Sequence, residues 1–227
     1  MTIEFVGPPG AGKTTSCQCF SDLLKSKGLE VIVLKDIKKY VREMSVLGKG
    51  LLFLKFVLFR VPNLLNYTVS LALNKIYSVN SIYRYFRLTV FDLALKQFKK
   101  NRKVDVVLLE QWIIQELWSA TIFKLKSYNG ISKHLSRFYF STDAVFYLHI
   151  DVNTAIKRIS SRNTRLSRFD KMDPETRLRE LFKYNSYLFE LYENSSCKQK
   201  HLFSTYRSPE KNAALFVQHL HIPVNYS

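Results

Sequence analysis

Near its N-terminus the chain reads Gly7-Pro8-Pro9-Gly10-Ala11-Gly12-Lys13-Thr14. This stretch fits the pattern G-x-x-x-x-G-K-[ST], in which a glycine-rich loop joins a buried strand to a helix. The surrounding residues supply both elements, because an apolar run at residues 3–6 precedes the loop and a helical pattern through Phe20 and Leu24 follows it. The sequence therefore predicts a phosphate-binding loop (P-loop) and an α/β fold.

The residue types in this loop match the chemistry of nucleotide binding. Glycines allow successive backbone N–H groups to turn inward around a phosphate, and the N-terminus of the following helix adds its positive end. Lys13 is placed to reach the β- and γ-phosphates, and the Thr14 hydroxyl is placed to bind Mg²⁺. We therefore predict ATP or GTP with Mg²⁺ as ligands, with ATP as the cofactor. The predicted nucleotide-binding residues here are Gly7, Pro9, Gly10, Ala11, Gly12, Lys13, Thr14 and Thr15.

The rest of the chain fits a parallel sheet with covering helices. Apolar runs rich in β-branched and aromatic residues occur at residues 3–6, 31–34, 104–109 and 145–150, with a weaker run at 201–205. The segments between them are long enough for crossover helices. We predict a three-layer P-loop NTPase fold with about five parallel strands and helices on both faces. Since the sequence shows no repeat and no linker, we expect one domain over residues 1–227.

Composition limits the classes of partner. Lys and Arg number 35 against 18 for Asp and Glu, a net charge of +17, which favours an anionic partner. The 47% of hydrophobic residues is ordinary for a globular protein and excludes a disordered chain. The three cysteines do not make a disulfide framework and lack metal-ligand spacing, so we expect reduced thiols and no structural metal. Without a signal-like start, the sequence predicts a cytoplasmic protein.

One apolar segment leaves alternatives open. Residues 51–59 are strongly apolar, but Lys55, Arg60 and Pro62 interrupt the pattern short of the ~20 residues of a membrane span, so we expect no transmembrane span. The segment is then a core or substrate-covering helix, or an amphipathic helix that touches lipid or a long apolar substrate. Its second half, residues 64–73, equally suits a homodimer interface.

Ligands of open α/β sheets bind beyond the carboxyl ends of the strands. After the second strand, Asp36 and Arg42 are candidates for an acceptor pocket, or else belong to a solvated basic helix face. After the third strand, Glu110 can hold the Mg²⁺ hydration shell or accept a proton from an attacking hydroxyl, unless it only caps a helix. Trp112 can stack on a planar substrate or belong to the core.

Four arginines follow the fourth strand. Arg158, Arg162, Arg165 and Arg168 repeat at close to helical spacing, and no acidic residue lies between residues 155 and 169. A solvated helix face normally mixes acids with bases, so this pattern favours phosphate binding. We predict an arginine-rich lid at about residues 153–172 that closes over a transferring phosphoryl group.

In this order, the motifs resemble those of the thymidylate kinase and deoxynucleoside kinase branch of the P-loop kinases. The arginines at 158–168 are similar to the lid of that family, and Glu110-Gln111-Trp112 stands where its catalytic carboxylate is found. The resemblance implies that Arg87, on the helix of Arg84, contacts the acceptor. It also implies that Tyr206 and Arg207 flank the adenine of the donor. The sequence departs from the family at Gln111, where an arginine is expected.

The resemblance and the P-loop together predict a kinase that transfers the γ-phosphate of ATP to a nucleoside or nucleoside monophosphate. The catalytic residues would be Lys13, Glu110, Arg158, Arg162, Arg165 and Arg168. Gln111 and the apolar residues 51–73 leave a kinase of a sugar, polyprenol or lipid headgroup as an alternative. A nucleic-acid-binding NTPase is a further alternative, suggested by the charge of +17 and by 13 Tyr and 17 Phe. The basic residues concentrate near the predicted site instead, so we do not expect nucleic acid as a partner.

Overall fold

A computed structural model of the protein describes residues 1–122, 135, 142–161 and 168–220. A five-stranded sheet forms its centre, in the order β2-β3-β1-β4-β5, and every neighbouring pair is parallel. The strands are β1 (Thr2–Val6), β2 (Val31–Val33), β3 (Val106–Leu109), β4 (Ala144–His149) and β5 (Gln199–Ser204). The predicted α/β fold with a five-stranded parallel sheet is therefore confirmed.

Helices connect the strands and cover both faces of the sheet. In the described ranges they are α1 (Lys13–Ser26), α2 (Leu34–Glu43), α3 (Val46–Leu73), α4 (Val79–Asn101), α5 (Ile113–Thr121), α6 (Val152–Ser160), α7 (Pro174–Glu193) and α8 (Pro209–Leu220). A single 3₁₀ turn (Phe169–Lys171) precedes α7.

Two hydrophobic clusters fill the layers on either side of the sheet. Alternate residues of a strand point to opposite faces, and β1 follows this rule. Phe5 packs between α1 and α8, where its ring meets Phe20 and Phe216 edge-to-face. Val6 belongs to the other cluster, with residues of α2, α4, α5 and α7. The neighbouring Glu4 is fully buried, which makes it an unusual residue for a central strand.

The second strand is shorter than the apolar run predicts. It ends at Val33, and α2 begins at the next residue. The Asp36 carboxylate accepts a hydrogen bond of 2.9 Å from the backbone N–H of Val33 and so caps the first turn of α2. The cap stabilises a helix start directly at the end of β2.

The apolar segment after α2 lies in one continuous helix of 28 residues, and the residues that interrupt its apolar pattern, Pro62 among them, do not break the helix. The Arg60 guanidinium pairs with Asp92 of α4 and is only 15% exposed, so this charge lies against the protein. By length and composition α3 could cross a membrane, yet only 22% of its most apolar window is buried within the protein. Its buried residues pack against the core, and they are Leu52, Phe56, Tyr67, Ser70 and Leu71.

Candidate active site

The P-loop packs tightly against α6. Gly10 has a φ of +86°, and a Cβ atom there would stand 2.6 Å from the carbonyl oxygen of Ala155. Gly12, which begins α1, has a φ of +80°, a left-handed conformation that side chains disfavour. Glycine is therefore required at Gly10 by both conformation and space, and is favoured at Gly12 by conformation.

The side chains predicted to contact phosphate lie together at the start of α1. The Lys13 ammonium donates hydrogen bonds to the carbonyl oxygens of Gly7 (2.7 Å) and Pro8 (3.0 Å). Thr14 and Thr15 are exposed in the first turn of the helix. The ammonium and the two hydroxyl groups thus meet at the carboxyl end of β1, where the sequence analysis expects a ligand.

A cavity of about 750 Å³ opens beside these residues. Its volume lies within the range of small-molecule sites. It is lined by Pro9, Gly10, Gly12, Lys13, Thr14 and Thr15 from the P-loop region, by Arg84 and Arg87 from α4, by Gln111, Gln115, Glu116, Trp118, Ser119 and Ile122 in and around α5, and by Arg168 and Phe169. Thr14 and Lys13 therefore share one space with three arginines.

One carboxylate holds two of these arginines. Glu116, only 8% exposed, accepts hydrogen bonds from Arg84 (2.8 Å) and from Arg87 (2.9 Å). The Nε atom of Arg84 is buried and has no hydrogen-bond partner in the described part of the chain. A buried donor without an acceptor is costly, so this wall of the cavity suits a ligand that supplies an anionic or polar oxygen.

Arg168 adds a third positive charge to the same wall. Its guanidinium donates to the hydroxyl of Ser119 at 2.9 Å and also to the Ser119 carbonyl. Burial lowers the pKa of Arg168, the nearby charge of Arg84 lowers it further, and Glu116 opposes the shift. Three cations surrounding one carboxylate leave the wall with a net positive charge.

Arg158 and Arg168, the two described members of the predicted arginine run, do not share one helix face. Helix α6 ends at Ser160, and Arg168 stands in a separate turn before Phe169. Arg158 points elsewhere, because its guanidinium donates to the carbonyl oxygens of Thr205 (3.0 Å) and Gly10 (3.5 Å). Arg158 therefore joins the P-loop to the loop after β5. Arg162 and Arg165 lie outside the described residues.

The Arg168 turn is fixed by a residue that the sequence analysis missed. Arg177 of α7 is buried, and it donates to the carbonyl oxygens of Phe169 (2.8 Å) and Met172 (2.7 Å) and to the hydroxyl of Ser160 (2.8 Å). The Phe169 ring stacks on Trp118 of α5 at 5.8 Å between ring centroids. These contacts join the end of α6, the 3₁₀ turn and α5.

The fold of the chain is similar to the folds of solved kinases. No protein-family model matches the sequence, and no curated protein matches it. The fold resembles that of deoxyadenosine kinase from M. mycoides in a structure with products dCMP and a flexible dCDP bound. The TM-score is 0.51 and the sequence identity is 16%, and the match covers 97% of this chain and 99% of that one. The same enzyme with bound dATP gives a TM-score of 0.50, 17% identity, and coverage of 98% and 100%.

A shikimate kinase from Bacteroides thetaiotaomicron is also similar, with a TM-score of 0.51, 12% identity, and coverage of 98% of this chain and 99% of that one. The chain has a P-loop kinase fold. Since kinases with different acceptors share this fold, the acceptor must be inferred from the side chains of the cavity.

Within this P-loop kinase fold, several predicted substrate residues lie apart from the cavity. Asp36 caps α2, and Arg42 is exposed at the end of that helix. Glu110 does not line the described cavity. Its charge instead acts on Cys17 of α1: burial raises the pKa of that thiol to about 12, and the charge of Glu110 adds to the shift. Trp112 is 1% exposed and borders a gap of only about 10 Å³ behind Glu116. It is therefore a core residue without an open stacking face.

The two residues expected beside the donor base lie on the loop after β5. The Tyr206 hydroxyl donates to the carboxylate of Asp151, which caps the N-terminus of α6 by accepting from the N–H of Thr154. These hydrogen bonds lower the pKa of Asp151. Tyr206 and Arg207 are both exposed and do not line the described cavity. Their loop still adjoins the P-loop, through the contacts of Arg158.

Helix α5 carries polar residues on one side that the sequence analysis did not select. Gln115, Glu116 and Ser119 lie within four residues of one another in α5, and this spacing places them on one side of the helix. The other residues of α5 are largely apolar and buried. A polar stripe in an otherwise buried helix is the signal that could have identified Glu116 and its neighbours.

Glu4 anchors this helix to the sheet. Its Oε1 atom accepts hydrogen bonds from the backbone N–H groups of Ile114 (2.9 Å) and Gln115 (3.3 Å). The Gln115 side chain in turn accepts from the N–H of Gly7 at 3.4 Å. Burial raises the pKa of Glu4 to about 8; the two backbone N–H groups oppose this shift, and the charge of Glu116 adds to it. Glu4 thus connects β1, α5 and the P-loop.

The residues present fit Mg²⁺ as part of a nucleotide complex. No cluster of three or more metal-ligating side chains occurs in the described ranges. Such a cluster is not required, because Mg²⁺ keeps several water ligands and is often bound through substrate phosphates. The exposed hydroxyl of Thr14, next to Lys13, supplies the oxygen that such a complex needs.

Proposed function

We propose that the protein is an ATP-dependent phosphotransferase whose acceptor is a small anion, with a nucleoside monophosphate as the best candidate. One observation carries this proposal: the P-loop residues Lys13 and Thr14 share a single cavity with three arginines and one paired carboxylate. The P-loop half of the cavity suits the phosphate chain of the donor, and the arginine half suits the phosphate of the acceptor. The nucleotides bound by the deoxyadenosine kinase of similar fold support the same assignment.

The P-loop half would bind the donor. The backbone N–H groups of the loop hold the β-phosphate, and Lys13 leaves the carbonyl oxygens of Gly7 and Pro8 to pair with the β- and γ-phosphates. When bound at Thr14, Mg²⁺ supplies charge neutralisation across these phosphates. Arg158 holds the loop after β5 against the P-loop, so we assign to it the positioning of the donor site.

The arginine half would bind the acceptor and the moving phosphoryl group. Arg84 and Arg87 present guanidinium groups, which match the geometry of a phosphate. Arg168 lines the same cavity, where it can stabilise charge on the group in transfer. An acceptor phosphate is already ionised at neutral pH, so its oxygen attacks without a protein base. A phosphate acceptor therefore does not need a free carboxylate as base, which agrees with the pairing of Glu116 with two arginines.

A hydroxyl acceptor is the second candidate, because a kinase with a non-nucleotide acceptor has a similar fold. A hydroxyl needs a base, and Glu110 is the residue that the sequence analysis assigns to this task. The apolar segment that suggested a polyprenol or lipid acceptor contributes no lining residue to the described cavity. A hydroxyl acceptor would therefore be a small polar molecule with an anionic group.

A screen of ATP consumption tests these proposals. Purified protein with ATP and Mg²⁺ is offered nucleoside monophosphates, nucleosides, sugars, hydroxy acids and isoprenoid alcohols, and Lys13→Ala serves as the inactive control. We expect turnover with a monophosphate and none with the matching nucleoside. Turnover confined to neutral alcohols would refute an anionic acceptor, and absence of turnover with every acceptor would refute the kinase assignment.

A further inference from the structure

Helix α3 exposes a large apolar surface. Eleven of its apolar side chains are 42% to 88% exposed, and no described residue covers them. These residues, together called the α3 surface, are Val46, Leu47, Leu51, Phe53, Leu54, Val57, Leu58, Phe59, Leu65, Val69 and Leu73. Tyr77, Val79 and Tyr83 extend it toward and into the start of α4, and they are 50% to 75% exposed. Exposed apolar surface on this scale marks an interaction site.

The α3 surface is wider than a seam for one partner helix. Leu47, Leu51, Leu54 and Leu58 follow the spacing of a coiled-coil seam. Phe53 and Phe59 lie away from this line, about 130° to one side and about 110° to the other side of the helix face that the leucines share. The apolar arc therefore covers most of the helix that does not face α4, which suits a partner that surrounds the side chains.

Within the chain segment that carries the α3 surface, every charged residue is basic. No acidic residue occurs between residues 44 and 91, whereas this segment contains six basic residues. Three of these form ion pairs within the protein, because Arg60 pairs with Asp92, and Arg84 and Arg87 pair with Glu116. The other three, Lys49, Lys55 and Lys75, are exposed.

Helix α2 adds basic residues at one end of the surface. The Lys49 ammonium donates to the backbone carbonyl of Arg42 at 3.1 Å, so the C-terminus of α2 lies against the start of α3. Lys38, Lys39 and Arg42 are exposed on α2. Apolar side chains bordered by lysines and arginines are complementary to an anionic lipid surface, where each basic residue near the headgroups adds attraction.

The packing of α3 on the rest of the protein favours a helix that lies on such a surface over one that crosses it. Leu52, Phe56 and Tyr67 are buried against the rest of the protein, and the Arg60–Asp92 ion pair ties α3 to α4. One side of α3 is thus committed to the kinase fold. A second copy of the chain is a poorer occupant, because pairing two α3 helices would bring lysines together without acidic partners from this segment.

We propose that the α3 surface and the start of α4 form a docking site for an anionic lipid membrane. The apolar side chains enter the headgroup and acyl boundary, and the surrounding lysines contact the lipid phosphates. Tyr77 and Tyr83 suit the edge of this boundary, because tyrosine has an apolar ring and a polar hydroxyl. The proposal is independent of the acceptor in the cavity.

Vesicle sedimentation of the full chain tests the proposal. We expect binding to vesicles of phosphatidylcholine with phosphatidylglycerol, weaker binding to phosphatidylcholine alone, and loss of the preference at high salt. The double variant Leu54→Glu/Leu58→Glu should bind at least about tenfold more weakly, since each leucine loses its apolar contact. Phe182→Glu on α7 is the matched control, because Phe182 is 57% exposed, and it should bind as the parent does.

A second variant tests whether the basic residues themselves contribute to vesicle binding. Lys49→Glu/Lys55→Glu leaves the apolar residues in place and should remove most of the preference for anionic vesicles. Far-UV circular dichroism without vesicles confirms that each variant is folded. Absence of the parent chain from both vesicle pellets would overturn the proposal. So would a dimer in sedimentation velocity that the leucine variant dissociates, because it would assign the α3 surface to a second copy.

Discussion

At the scale of single residues, Lys13 bonds to two carbonyl oxygens of its own loop, and a phosphate would replace them as a stronger acceptor. We predict that Lys13→Ala reduces kcat by about 10²–10³-fold or more, because one preorganised charge on the transferring group is lost. The melting temperature should stay unchanged. Lys25→Ala, at the other end of α1, is the control and should retain full turnover. Normal turnover in the Lys13 variant would contradict the P-loop assignment.

Arg168 and Arg158 should affect different kinetic constants. We predict that Arg168→Ala lowers kcat with little change in the KM for ATP, because Arg168 lies on the acceptor side of the cavity. Arg158→Ala should chiefly raise the KM for ATP, because its contacts hold the P-loop and the loop after β5. Steady-state kinetics with varied ATP measure both effects. Arg207→Ala is the exposed control, and equal effects of the first two variants would argue against separate roles.

Glu4 should make the stability of the fold depend on pH. Its pKa is raised from an ordinary 4.5 to about 8, so the folded protein holds the proton more tightly than the unfolded chain does. The free energy of unfolding therefore falls as pH rises from about 4.5 toward 8. Glu4→Gln keeps an oxygen for the N–H groups of Ile114 and Gln115 but cannot ionise. It should match the parent at pH 5 and exceed its stability at pH 8.5 in chemical denaturation. A constant difference between the two proteins at both pH values would contradict this assignment.

At the scale of elements, local patterns predicted the strands and the P-loop well, because strand periodicity and glycine spacing are properties of neighbouring residues. The roles of other residues depend on distant contacts. Arg177 lies in a helix of ordinary composition, and only the fold brings it to Ser160 and Met172. Glu116 likewise acquires its two arginines from a helix that precedes it by some 30 residues. Local spacing can mark such residues as polar positions in a buried helix, but it does not show which side chains they meet.

The predicted arginine run is a second case in which local spacing did not predict where a helix ends. Its spacing indicated one helix face, but α6 ends at Ser160. The side chain of Ser160 accepts from Arg177, and the carbonyl oxygens of the following 3₁₀ turn accept from the same guanidinium. Arg177, in the helix that follows, thus stabilises the 3₁₀ turn at Phe169.

We predict that Arg177→Lys destabilises this junction, because one ammonium nitrogen cannot reach all the acceptors that three separate guanidinium nitrogens now reach. The variant should lower kcat through Arg168 while leaving ATP binding near normal. Nucleotide affinity by isothermal titration, combined with turnover, separates these effects. Arg179→Lys, exposed on the same helix, is the control. An Arg177→Lys protein with normal turnover would show that the junction does not position Arg168.

At the scale of the whole molecule, α4 connects the two surfaces that the fold presents. Its Arg84 and Arg87 line the cavity, and one to two turns later Asp92 holds Arg60 of α3. Asp92 also pairs with Lys96 at 2.9 Å, so one carboxylate of 7% side-chain exposure serves two cations. This nearly buried ion pair therefore adds to the apolar packing that joins α3 to α4.

We predict that Asp92→Asn lowers the free energy of unfolding by about 1–3 kcal/mol, because Arg60 would keep a largely buried charge without its carboxylate. Urea denaturation measures the change. Lys96→Ala, which removes the exposed partner of the same carboxylate, is the control and should cost less than about 1 kcal/mol. Equal losses in the two variants would show that the Arg60 pair adds nothing to stability.

The stacking of Trp118 on Phe169 gives the protein its own optical reporter. The chain has two tryptophans, and Trp112 is sealed in the core, so its emission supplies a constant background. Trp118 borders the cavity, and its ring lies nearly parallel to Phe169, next to Arg168. Any ligand that enters the cavity, or any shift of the 3₁₀ turn, changes the surroundings of one indole. Ligand titrations can therefore be followed by intrinsic fluorescence without a label, and Trp118→Phe provides the blank.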